Sequence, residues 1–133
     1  MYWYNGLIVS SEIARGLDVF ELVPSPHISQ NEIDAAKTVR FDYLNAQEQR
    51  KIVWPPSFAK ARAFLDQLER SKGLSDDRIT AARSALAGAE KQSGKARQDA
   101  LAQLAKQVND HGSRSADRAK VEMLSAAITE LAR

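Results

Sequence analysis

Every aromatic residue and all four prolines of this chain lie within its first 64 residues, and this uneven distribution constrains the fold more than any other feature. The composition after residue 65 is rich in Ala, Leu, Gln, Lys and Arg, which is typical of α-helices. The sequence therefore predicts two unlike halves, of which the first contains strands and the second is helical.

Residues 1–23 have the pattern of a three-stranded β-meander. Asn5-Gly6 is a strong two-residue hairpin signal, because both positions tolerate a positive φ. A longer turn at residues 12–16 precedes an alternating apolar segment at residues 17–22. From this alternation we predict one face that carries Trp3, Leu7, Val9, Leu17 and Val19, and an opposite face that carries Tyr2, Tyr4, Ile8 and Phe20.

Residues 24–56 are predicted to form an irregular linker with one short helix. Ser29 and Glu32 have the spacing of a capping box, which predicts a helix over about residues 30–37. The stretch 38–54 has no clean period and ends at Pro55-Pro56, so we expect it to be mostly extended or irregular.

Residues 57–133 contain four apolar stripes at helical spacing, joined by short Gly/Ser turns. The stripes predict a core that includes Phe64, Leu68, Leu86, Leu104, Leu124 and Ile128. We expect Gly73 to end the first of these helices in the left-handed conformation, Asp110-His111-Gly112 to turn the chain, and Ser113 or Ser115 to cap the last helix. The predicted fold class is α+β, a three-stranded antiparallel meander followed by a mostly antiparallel four-helix bundle.

The charge balance of the chain favours no particular partner. The 19 Lys and Arg residues exceed the 17 Asp and Glu residues only slightly, for a net charge of +2. One interpretation of the basic residues is a patch that binds nucleic acid. Its members would be Lys60, Arg62, Arg70, Lys72, Lys91, Lys95 and Arg97. Acids are interspersed among them and no aromatic follows Phe64, so a solvated helix face is the favoured interpretation and we expect no nucleic-acid partner.

No membrane span or export signal is predicted for this chain. Its longest apolar run, residues 7–9, is far shorter than the ~20 residues that a spanning helix needs. The first six residues have no basic n-region and no long apolar segment, so they do not form a signal peptide.

No catalytic, cofactor-binding or metal-binding residues are predicted. The chain has no Cys and only His27 and His111, neither at metal-ligand spacing. Asp110-His111 is interpreted as a solvated turn, and Asp76-Asp77 as acids in the first turn of a helix. No P-loop, dinucleotide fingerprint or nucleophile elbow occurs. We therefore expect a protein that is not an enzyme and needs no cofactor.

The aromatic residues at the start of the chain are the strongest candidates for a functional surface. Packing against other parts of a sheet or against the bundle is the favoured interpretation, and a ligand platform is the alternative. The predicted interaction surface consists of Tyr2, Trp3, Tyr4, Ile8 and Phe20.

The meander resembles one blade of the bacterial LVIVD-repeat β-propellers. The likeness is carried by residues 4–11 (YNGLIVSS) and 15–22 (RGLDVFEL), where a turn glycine, an apolar strand ending in small polar residues and a Gly-Leu follow in order. Residues 23–26, 31–33 and 52–55, with the Ala-rich end, are similar to the C-terminal tail of secreted members. The chain departs from the family in having one blade.

The resemblance implies a C-terminal part of a longer protein, with the remaining propeller blades as its partner and an extracellular or periplasmic location. It supplies no catalytic residues. The leading hypothesis is a non-catalytic binding or structural segment, the last blade of a propeller with a helical interaction module. The alternative is a free-standing helical adaptor that associates with a second copy through its meander.

Overall fold

The strands and helices follow the order expected from the two halves of the sequence. The computed structural model describes residues 1–48, 50–112 and 115–133. Three antiparallel strands pair in chain order: β1 (Tyr2–Tyr4), β2 (Leu7–Glu12) and β3 (Gly16–Phe20). The helices in the described residues are α1 (Gln30–Lys37), α2 (Phe58–Arg70), α3 (Asp76–Glu90), α4 (Gly94–Gly112) and α5 (Arg118–Leu131). The predicted α+β class with an N-terminal meander is confirmed.

Helices α2 to α5 form a closed four-helix arrangement. Each contacts the next along the chain, and α5 returns to contact α2. The core between them is built from the predicted stripes, so Leu68, Leu86, Leu104, Leu124 and Ile128 are buried. Phe64 is only partly buried and packs at the edge of this core.

Helix α1 adds a fifth helix against the outside of α2. Its capping box forms as predicted, since the Ser29 side chain accepts from the Glu32 amide and the Glu32 carboxylate accepts from the Ser29 amide. Ile33 is fully buried, which gives α1 an apolar anchor. The connection from α1 to α2 contains one 3₁₀ turn, Ala46–Glu48, and is otherwise irregular in its described part.

The end of α2 differs from the prediction at Gly73. The left-handed residue is Lys72, with a φ of 54°, and not Gly73. The Gly73 amide donates to the Leu68 carbonyl at 2.9 Å, as in a Schellman motif. A Cβ at Gly73 would lie 2.7 Å from Leu68 Cδ2 and 2.9 Å from Asp117 Cβ. The glycine is required by close packing rather than by its own φ.

The connection from α4 to α5 also differs from the prediction. Asp110-His111-Gly112 does not turn the chain, because α4 continues to Gly112, where the absence of a side chain admits Val121. Asp117 caps α5 by accepting from the Lys120 amide. Ser113 lies outside the described residues, and Ser115 instead donates its hydroxyl to the Gly73 carbonyl.

Candidate interaction surface

The turn between β1 and β2 attaches the meander to the helices. Asn5 and Gly6 both have positive φ, as predicted for an Asn-Gly hairpin. The Asn5 side chain makes two hydrogen bonds with the backbone of Phe41, from Nδ2 to the carbonyl at 2.9 Å and from the amide to Oδ1 at 2.7 Å. Arg40 donates to the Asn5 carbonyl at 2.9 Å. The turn is therefore held by the segment that follows α1.

A second attachment follows β3. The Lys37 ammonium lies 2.8 Å from the Glu21 carboxylate, and the hydrogen bond from Lys37 lowers the pKa of Glu21. Both groups are at the surface, so this ion pair contributes little to stability. Within the described residues, no strand packs broadly against a helix. The meander is attached at its margins, and none of its strand residues is fully buried.

The register of the strands decides which side chains share a face. Tyr4 lies opposite Leu7 and Tyr2 opposite Val9, and Val9 lies opposite Val19. Directly opposed residues in antiparallel strands point to the same side. One face, here named the tyrosine face, therefore carries Tyr2, Tyr4, Leu7, Val9, Ser11, Leu17 and Val19. The other, the tryptophan face, carries Trp3, Ile8, Ser10, Glu12, Gly16, Asp18 and Phe20.

This register corrects the predicted distribution of side chains. Tyr2 and Tyr4 were expected on the other face of the sheet from Leu7 and Val9, but the register places all four residues on the same face. The predicted interaction residues are thereby divided, with Tyr2 and Tyr4 on one face and Trp3, Ile8 and Phe20 on the other. A two-residue turn pairs its flanking residues, so the Asn-Gly signal already contains the information that places Tyr4 with Leu7.

The tyrosine face is apolar, uncharged and mostly exposed, with Tyr4 and Val9 partly buried. Leu17 is 63% exposed and Val19 is 54% exposed, and Tyr2 and Leu7 are also exposed. Six of its seven residues are aromatic or aliphatic, and the seventh is Ser11. Sequence reasoning did not include the aliphatic members of this face in the interaction surface.

A hollow extends the tyrosine face towards the segment after α1. It has a volume of about 350 Å³ and is lined by Tyr2, Tyr4 and Val9 together with Asp42, Tyr43 and Leu44. Tyr43 is itself exposed. The apolar surface therefore continues from the sheet onto the loop that holds the hairpin turn.

The tryptophan face is more polar and partly covered. Trp3 and Ile8 are partly buried, whereas Phe20 is exposed. Asp18 pairs with Arg15 at 3.1 Å and occupies the same face as Glu12. With β2 central, the outer edges of β1 and β3 have no strand partner within the described residues. The tyrosine face is thus the better candidate for a broad apolar contact.

Charged side chains cluster elsewhere, where α1 meets α2. The Glu32 carboxylate accepts from both terminal nitrogens of Arg70, at 2.8 and 3.0 Å, from Gln67 at 2.8 Å and from the Ser29 amide at 2.7 Å. Burial by itself raises the pKa of Glu32, but these hydrogen bonds outweigh it and lower the pKa to about 2.

The cluster continues from α2 to α3 through Arg83. Its guanidinium contacts Asp66 at 2.6 Å and Glu69 at 2.8 Å, and Asn31 of α1 donates to Asp66 at 2.8 Å. The hydrogen bond to Glu69 is the main cause that raises the pKa of Arg83, and the same bond lowers the pKa of Glu69. These charged and polar groups pair with one another across α1, α2 and α3. Their role is therefore to hold the three helices together.

Most members of the basic set considered for nucleic acid are paired with acids. The ion pairs are Lys60–Glu130, Arg62–Glu90, Arg70–Glu32, Lys72–Asp76 and Lys95–Asp99. Arg97 lies over the ring of Phe58 and donates to the Gln92 carbonyl. In residues 1–48, 50–112 and 115–133, no group of three or more His, Asp or Glu side chains is placed to hold a metal ion.

Comparisons of the chain with protein-family models, with curated proteins and with solved structures find no match. None of the helices in the described part of the chain has the length and apolar character needed to cross a membrane.

Proposed function

We propose that this chain is a non-catalytic binding or structural segment whose tyrosine face packs against β-structure from outside the 133 residues. The observation that carries this proposal is the exposure of an uncharged apolar sheet face beside a helical bundle that does not cover it. Sheets bury such faces against a second layer, with interdigitated side chains across about 10 Å.

The nature of the partner follows from the shape of this face. A pleated surface with aliphatic side chains at alternate positions matches another sheet better than it matches a charged polymer. No Lys or Arg lies on the tyrosine face, and most of the basic set on the helices is paired with acids. We therefore propose β-sheet as the partner and not nucleic acid.

The resemblance to an LVIVD-repeat blade gives the proposal its specific form. In that form the partner is the set of remaining propeller blades in a longer chain, this segment is the C-terminal end, and the location is extracellular or periplasmic. Blades stack face to face around a propeller, so one blade alone leaves its faces open. The helical bundle would then extend from the propeller as an interaction module.

The alternative is a free-standing helical adaptor that pairs with a second copy through the same face. One feature favours it, because the tyrosine face carries no charge and two copies can meet there without like-charge repulsion. In a two-fold contact the face would meet itself, as isologous interfaces require.

Light scattering after size exclusion tests the proposal. We expect the 133-residue chain to associate at micromolar concentration, and Val19→Lys to reduce that association by placing a charge on the face. Ser84→Lys, on an exposed position of α3, is the matched control and should change nothing. A monomeric wild-type chain whose strands are fully protected from hydrogen exchange would contradict the proposal.

The two forms of the proposal differ in what lies upstream of the coding sequence. Further blade-like repeats in the same reading frame, together with a monomeric longer protein, are expected for the propeller form. Association that persists in the natural full-length protein is expected for the adaptor.

A further inference from the structure

A second concave surface lies on the helical side of the molecule, between α1, α2 and α5. It is a groove with a volume of about 490 Å³, which falls within the roughly 300–1,000 Å³ of small-molecule sites. Its apolar lining comes mainly from Ile28, Ala35, Trp54, Ala63, Phe64 and Met123. The groove is separate from the tyrosine face and shares no lining residue with the hollow beside it.

The groove is lined by both small and large side chains. Ala35 and Ala63, each 6% exposed, line it where α1 approaches α2. Two other lining residues, Trp54 and Met123, are 44% and 52% exposed, although both are large and apolar. A ligand that fills the space would remove this apolar surface from water.

Two of the three charged side chains that line the groove are cationic. Lys120 Nζ lies 5.9 Å from the centroid of the Phe64 ring and has no carboxylate within ion-pair distance in the described residues. Lys60 also lines the groove and is shared between the Trp54 carbonyl and Glu130. The one acid in the lining, Glu32, is held by Arg70. An anion near Lys120 would therefore meet a cation and little opposing negative charge.

We propose that this groove binds a small apolar carboxylate of the fatty-acid type. The hydrocarbon chain would lie along the alanines between Trp54 and Met123, and the carboxylate would pair with Lys120. The apolar lining suits a hydrocarbon chain, and Lys120, which has no ion pair with an acid in the described residues, suits an anionic head. A cation–π contact with Phe64 holds the ammonium against a ring that also lines the groove.

Titration with dodecanoate, below its micelle concentration, tests this site. In a Trp3→Phe variant of the full chain, Trp54 is the remaining tryptophan and its fluorescence reports occupancy. We expect a saturable change with a stoichiometry of one dodecanoate per chain. Dodecanol and dodecyltrimethylammonium, which share the chain but not the anion, should bind more weakly in that order.

Two variants separate the role of the charge from that of the shape. Lys120→Gln is expected to weaken dodecanoate binding about fivefold and to reduce its salt dependence, while the Lys91→Gln control, at an exposed site at the end of α3, leaves both unchanged. Ala36 of α1 also lines the groove, so Ala36→Leu should fill it and abolish the signal. The circular dichroism melt of each variant shows that the fold is retained.

Three results would overturn the assignment. The first is no saturable change up to the micelle concentration, and the second is equal binding of the three dodecyl compounds. The third is dodecanoate binding that Lys120→Gln and a well-folded Ala36→Leu leave intact. If the chain did not self-associate, the proposal for the tyrosine face would be contradicted and the proposal for this groove would not be affected. The two proposals can therefore fail separately.

Discussion

The meander and the helical bundle solve the problem of burying apolar surface in opposite ways. In β1, β2 and β3 no residue is buried, and the apolar side chains of the tyrosine face remain largely in water. Each helix from α2 to α5 has at least four buried residues, and together they form one core. The bundle has a buried core of its own, whereas the sheet buries none of its residues.

This difference shows that a sequence can define the shape of a region without making that region stable. The Asn-Gly turn and alternating side chains are sufficient to define a hairpin, but a small sheet without a covered face is marginal in water. The bundle gains its stability from packing, at about 25 cal/mol for each Å² of apolar surface removed from water. We expect local unfolding to begin in the strands.

The largest expected effect is a charge in the bundle core. Leu104→Asp places an unpaired carboxylate among buried side chains, which costs several kcal/mol and should unfold the bundle. Thermal unfolding followed by circular dichroism at 222 nm measures this. Leu17→Asp, the matched change on the tyrosine face, should leave the helical transition nearly unchanged. An equal loss of stability in both variants would contradict the contrast between the two regions.

Two glycines within the helical part are expected to respond in opposite directions to the same substitution. Gly73→Ala should lower the free energy of unfolding by about 1–3 kcal/mol, because the new Cβ would overlap Leu68 and Asp117. Gly88→Ala in α3 meets nothing within 4 Å and should raise it by about 0.5–1 kcal/mol. Urea unfolding of both variants provides the comparison, and a stable Gly73→Ala protein would show that the loops are not tightly packed there.

A smaller effect is expected from the ionic cluster that fixes α1 to α2. The pKa of Glu32 is lowered from 4.5 to about 2, so its carboxylate stabilises the fold above about pH 4.5, and this contribution is lost as the pH falls through about 2. Glu32→Gln keeps a capping side chain but should cost about 1–2 kcal/mol at pH 7, after allowance for solvent screening.

The pH profile distinguishes this pairing from a general acid effect. Stability of Glu32→Gln should fall less between pH 4.5 and 2 than that of the wild-type protein. Glu122→Gln, which breaks an exposed pair with Arg118 within α5, is the control and should change stability by only a few tenths of a kcal/mol. Parallel profiles for wild type and Glu32→Gln would contradict the assigned role of Glu32.

Much of the fold was predictable because local patterns determine it. The Ser29–Glu32 capping box, the Asn5-Gly6 turn and the apolar stripes each depend on residues a few positions apart. The role of Gly73 was misinterpreted because its constraint comes from packing against Leu68 and Asp117, and Asp117 lies far along the chain. Long-range packing of this kind leaves no periodic signal in the sequence.

The candidate sites were predictable to a smaller degree. Tyr2 and Tyr4 were recognised as unusual, but Leu17 and Val19 join them only through the strand register. The groove depends on how α1 lies against α2. Alanines such as Ala63 therefore do not indicate a binding site in the sequence alone. The hydrogen bonds from Arg70 to Glu32 likewise form only when the two helices are in contact.

Hydrogen exchange followed by mass spectrometry, at several protein concentrations, tests the contrast between meander and bundle most directly. We expect slow exchange in α2 to α5 at every concentration. In β1 to β3 we expect fast exchange when the chain is dilute, with protection that appears as the chain associates and is absent in Val19→Lys. Strands that are as protected as the bundle core in a dilute, monomeric chain would contradict this expectation.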